Sequence, residues 1–102
     1  MRFLFKISWP VEAGNEAAKG GFQVVEKILS EQKPEAAYFI AEGGMRTAIL
    51  IMKMKDVSQL PAIAEPWFLA LNARIEVTPT MVADDLKKAG PAIQRAVKSF
   101  GG

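Results

Sequence analysis

The sequence contains no cysteine and no histidine. The first absence excludes disulfides, thiolate nucleophiles, cysteine zinc sites and iron–sulfur clusters. The second removes the usual general base near neutral pH, the usual haem ligand and the histidine-bearing metal triads. Any catalysis is left to carboxylates, Lys, Arg, Tyr, Asn or backbone amides, and neither a metal nor a resident cofactor is expected. Long apolar runs are missing too. No segment approaches the length of a spanning helix, and Met1-Arg2-Phe3-Leu4-Phe5-Lys6-Ile7 is too short and too alternating for a signal peptide. Nor is any stretch dominated by one sign of charge. The 13 basic and 11 acidic residues are interspersed and leave a formal net charge of +2, so the footprint of a duplex-binding protein is absent. These absences predict a cytoplasmic protein without nucleic-acid or membrane partners.

What is present is enough for one core. Half of the 102 residues are hydrophobic, which places the chain among globular domains and predicts a single domain over 1–102, with a core at 1–80 and a tail at 81–102. Phe3, Phe5, Ile7 and Trp9 alternate with Arg2, Lys6 and Ser8, the period of a half-buried strand. Pro10 ends it. Over 11–32 the spacing of Ala18, Phe22, Val25 and Leu29 predicts a helix, interrupted or closely approached at Gly20-Gly21. Ala36–Glu42 and Met45–Met54 flank Gly43-Gly44, a hairpin signal. A two-residue loop sets Glu42 opposite Met45, Ile40 opposite Thr47 and Tyr38 opposite Ile49 on one sheet face, with Phe39 and Ala48, Ala41 and Arg46 on the other. A three-residue loop reverses the faces.

Asp56-Val57-Ser58-Gln59 has capping-box spacing, and Leu60, Ile63, Ala64, Trp67 and Leu71 line one face of the helix that follows. Pro66 is expected to kink or shorten that helix, and Asn72 suits a left-handed C-terminal position. Ile75 and Val77 alternate in a fourth strand, and 82–100 reads as a helical tail broken at Gly90-Pro91. Strand, helix, strand, strand, helix, strand is the ferredoxin-like βαββαβ order: an α+β fold with a four-stranded antiparallel sheet and both main helices on one face. Yet Ala48-Ile49-Leu50-Ile51-Met52 is apolar on both sides, as a doubly buried strand would be. The bare face therefore needs a cover, either the tail, through Ile93, Val97 and Phe100, or a second subunit. A homodimer through the sheet face is the expected answer.

The opening Phe-Leu-Phe-Lys-Ile strand, Lys33-Pro34-Glu35-Ala36-Ala37-Tyr38-Phe39, Pro61-Ala62-Ile63-Ala64-Glu65-Pro66-Trp67-Phe68 and Ala89-Gly90-Pro91-Ala92-Ile93 carry a resemblance across nearly the whole chain. The sequence resembles the dimeric α+β barrel superfamily, and within it a bacterial family of unknown function. The resemblance implies two ferredoxin-like sheets packed face to face. Relatives in that superfamily include small monooxygenases acting on polyketide-like aromatics, muconolactone isomerases and stress-responsive proteins, but no catalytic motif of theirs transfers residue by residue. Its haem-binding members depend on a histidine, which is missing here.

Five side chains are candidates for lining a site for a small apolar or aromatic ligand. Trp67 would form an aromatic wall beside Glu65 as acid or base, or else be core beside a solvated carboxylate. Tyr38 and Glu42 would bring a phenol and a carboxylate to one sheet face, and Asn72 stands at a helix end. Arg46, beside the hairpin turn, would clamp an anion or face solvent. Base stacking of the RNA-recognition kind is excluded because the third strand has no aromatic residue. Two functions from different classes follow: a ligand-binding dimeric barrel with monooxygenase- or isomerase-like chemistry, or a non-catalytic dimeric scaffold or regulatory protein.

Overall fold

The structure, a computed structural model, describes all of residues 1–102. Four strands, β1 (Arg2–Trp9), β2 (Ala36–Glu42), β3 (Met45–Lys53) and β4 (Arg74–Thr80), form one antiparallel sheet in the order β2-β3-β1-β4. Four α-helices accompany it: α1 (Val11–Lys19), α2 (Gln23–Gln32), α3 (Leu60–Leu71) and α4 (Ala83–Phe100). This is the expected α+β, ferredoxin-like arrangement. The two longer strands, β1 and β3, take the centre and the shorter ones the edges. Pro79 lies on the edge strand β4, where a missing amide donor costs no ladder bond on the open side.

The hairpin register is the one a two-residue loop dictates, with Glu42 opposite Met45, Ile40 opposite Thr47 and Tyr38 opposite Ile49. Gly43 and Gly44 sit at φ 59° and 76°, the consecutive positive values that a tight primed turn requires and that side chains resist. Period two then sorts the sheet. Phe3, Phe5, Ile7 and Trp9 of β1 and Ala48, Leu50 and Met52 of β3 are buried beneath α2 and α3 with Val25, Ile28, Ile63, Trp67 and Leu71. Leu4, Ile49 and Ile51 point the other way and are only half buried.

The segment 11–32 is two helices, not one. α1 ends at Gly20-Gly21, where the Gly21 and Phe22 amides donate back to the Ala18 and Ala17 carbonyls, each at 2.9 Å, a Schellman closure. α3 is preceded by a single 3₁₀ turn, Val57–Gln59. There Asp56 Oδ1 accepts from the Ser58 amide and Gln59 Oε1 from the Asp56 amide, at 2.8 and 3.2 Å, so the cap read from sequence is formed. Asn72 closes α3 at φ 54°.

Of the two proline expectations, one is narrowed and the other needs correction. Pro66 does not shorten α3, which continues to Leu71. The carbonyl deprived of a partner is that of Ala62, an exposed residue, where solvent can take up the bond. Nor is the tail broken at Gly90-Pro91, since α4 runs continuously from Ala83 to Phe100. A proline ring clashes with the Cβ of the residue before it, and Gly90 has none; the freed Lys87 carbonyl lies on an exposed face.

α4 does not fold back over the sheet. It has no buried residue, and it stretches the molecule to 58 × 28 × 20 Å. Leu86, Ile93, Val97 and Phe100 form an apolar stripe along it, each about half exposed or more. No helix of the structure is long and apolar enough to cross a membrane.

Candidate ligand-binding site

The site begins with what α2 leaves uncovered. The Gln32 side chain ties α2 to α3: its Nε2 donates to the Ile63 carbonyl at 2.8 Å, and its Oε1 accepts from Trp67 Nε1 at 3.2 Å. On its other side α2 does not cover the edge strand, and Phe39 of β2 is about half exposed although it faces the helices. Between them opens a cleft of about 470 Å³. Phe22, Val25 and Leu29 form one wall, Phe39 and Ala41 the other, and Trp9, Arg46 and Thr47 close the end, with Glu26 among the lining side chains. A volume of this size, walled by apolar side chains with few polar ones, is typical of small-molecule sites. A larger hollow of about 670 Å³ lies over Glu12, Asn15, Glu16 and Lys19, but every residue around it belongs to α1. No second element encloses it.

The closed end of the cleft is rich in hydrogen-bond donors. Arg46 follows the hairpin turn on the helix-facing side, opposite Trp9 of β1 and Ala41 of β2. Its guanidinium lies 5.9 Å from the centre of the Phe22 ring, a cation–π distance. Nη1 donates to Asn15 Oδ1 at 3.2 Å and reaches the Val11 carbonyl at 3.5 Å, and no carboxylate lies within ion-pair distance of it. Trp9 Nε1 is buried and donates to nothing. Both groups crowd Gly14 of α1, where a Cβ would come within 2.5 Å of Arg46 Nη1 and 3.0 Å of Trp9 Nε1. Only glycine lets α1 approach so closely. Phe22 itself sits at φ 58°, a left-handed conformation that an aromatic residue adopts at a cost of about 1–3 kcal/mol. That cost is met at a wall of the cleft.

The residues singled out from sequence are spread over three places. Trp67 is wholly buried, stacked on Trp9 with ring centres 6.0 Å apart, and belongs to the core. Glu65 is exposed on α3, and Asn72 is the exposed residue that closes it. Tyr38 and Glu42 do share a face, as the register required, but it is the open one. There Tyr38 is 64% exposed and Glu42 pairs with Lys6 of β1. The Glu42 carboxylate holds Lys6 above the usual lysine range, chiefly through their hydrogen bond. None of these five lines the cleft. Of the residues read from sequence as ligand contacts, Arg46 alone does. Phe22, Phe39, Trp9 and Gly14 were not recognised. The signal available was the register, which places Phe39 and Ala41 on the face of Arg46 at an edge strand.

Comparison with known proteins adds little chemistry. A search of the curated proteins finds no match. Among solved structures, a formyltetrahydrofolate deformylase from Pseudomonas putida KT2440 is similar at 16% identity and a TM-score of 0.49, over 78% of this chain. The chain spans 29% of that protein's length, and at this level the likeness supports no functional argument. The family whose description is "Domain of unknown function (DUF3303)" matches residues 1–94, and the chain therefore belongs to it.

Proposed function

We propose that the protein is a homodimeric small-molecule-binding protein, joined through the open face of its sheet, each subunit holding an apolar or aromatic molecule in the cleft between α2 and β2. The cleft carries this reading: about 470 Å³ walled by Phe22, Val25, Leu29 and Phe39. Dimerisation is supported by the half-buried Leu4, Ile49 and Ile51, which sit beside the exposed Tyr38 and Ile40 on one face. Burying each such side chain contributes about 1.5–3 kcal/mol, and a second copy offers the same surface by symmetry. In that dimer, a dimeric α+β barrel, Tyr38 and Glu42 face the partner's sheet. Within one subunit, monooxygenase- or isomerase-like chemistry in the cleft would draw its carboxylate from Glu26.

Native mass spectrometry of the purified protein tests the reading directly. A dimer with a retained small molecule is expected, and Ala41→Trp, which fills the cleft, should expel that molecule and leave the mass of the dimer otherwise unchanged. The second reading, a non-catalytic scaffold or regulatory protein, draws on α4, an exposed amphipathic arm. Empty dimers that take up no apolar probe would favour it.

A further inference from the structure

We infer that the molecule held in the cleft is a small amphipathic carboxylate, its apolar body between Phe22, Val25, Leu29 and Phe39 and its anionic head at Arg46. This rests on the reading of the cleft as a ligand site and names the class of ligand. An arginine has five donors and no acceptor. Only Nη1 of Arg46 finds protein oxygens, in Asn15 and Val11, so Nε and Nη2 have no protein acceptor. Its charge has no carboxylate partner within ion-pair distance. The guanidinium is held in place by a ring below it and the Asn15 amide oxygen beside it. A planar fork fixed in that way matches a carboxylate in two-point geometry. The buried, unpartnered Trp9 N–H beside it adds a further donor to a corner short of acceptors.

One group works against this assignment and makes it testable. Glu26 lines the same cleft without reaching Arg46, so it repels an anionic ligand and attracts a cationic one. A neutral ligand would gain no charge–charge attraction from either side chain.

The experiment is titration of the purified protein with decanoate, decanol and decylamine, followed by tryptophan fluorescence and calorimetry. Decanoate should bind at least about tenfold more tightly than decanol, the margin of one charge-assisted hydrogen-bonded pair. Arg46→Met keeps an unbranched apolar side chain at this position without the charge and should erase that margin while decanol binding stays within about twofold. Unchanged decanol binding then shows that the cleft is still folded. Gly14→Ala, whose Cβ displaces the Arg46 Nη1 position, should weaken decanoate in the same direction. Glu26→Gln should tighten it by about twofold as a like charge is removed. If decanol matches decanoate, or decylamine exceeds it, or Arg46→Met leaves decanoate unaffected, the carboxylate class is wrong though the cleft stands. If none of the three binds, the ligand-site reading itself fails.

Discussion

Leu50 and Ile51 are neighbours on β3 and nearly alike in chemistry, yet they inhabit different parts of the molecule. Leu50 has no exposure and lies between Phe5 of β1 and Ala37 of β2, under the helices. Ile51 pairs with Leu4 and Ala36 on a face that no helix covers. Hydrophobicity alone therefore does not say what an apolar residue is for. One face is apolar because the subunit must fold; the apolar side chains of the other are those the proposed dimer would bury.

Substitutions on the two faces should separate those roles. The largest effect is expected of Leu50→Lys, which puts an unpaired charge where water cannot reach; circular dichroism should show an unfolded or aggregated chain. Trp67→Ala removes a wholly buried ring stacked on Trp9 and should cost about 3–5 kcal/mol in urea denaturation. Ile51→Lys should instead leave a folded subunit, its stability within about 1 kcal/mol of the parent, that sediments as a single copy. A folded dimer from Leu50→Lys would reverse the assignment of faces, and an unfolded Ile51→Lys would deny that the open face is an interface.

Smaller effects lie at the margins. Val97→Glu, on the stripe of α4, should raise the dimer's dissociation constant by about tenfold if the arm shares in assembly, with no change in the sheet's unfolding midpoint. The smallest concerns the rim. The Glu35 carboxylate bridges Arg2 and Lys53 and is held below its ordinary value of 4.5, chiefly by its hydrogen bond to Arg2. A carboxylate more acidic in the folded chain contributes stability above pH 4.5, lost as pH falls through the lowered folded value. Glu35→Gln should therefore unfold at slightly lower urea than the parent at neutral pH, and the gap should close on acidification. A gap that persists at low pH would assign the effect to packing.

Much of the fold was legible because its signals are local. Alternation from Phe3 to Trp9, the Gly43-Gly44 turn and the Asp56 cap are each decided within a few residues, and the register followed from loop length alone. The prolines misled because a broken hydrogen bond matters only if the orphaned carbonyl is dry, and the exposure of Ala62 and Lys87 is a tertiary fact. The cleft was illegible for the same reason. Phe22 and Val25 have ordinary helical spacing, and nothing in it reveals that their helix leaves Phe39 uncovered. Arg46 could be named from its position beside the turn. What surrounds it could not.

In the proposed dimer, a partner seated on the unsupported α4 arm would make helix content a function of protein concentration. An eighteen-residue helix with glycine and proline in its interior is marginal in water by itself. A second copy that sheathed its stripe would then be what keeps it wound. Dilution would unravel the last fifth of the chain before the sheet loosens, leaving a tail open to proteases on a body still intact.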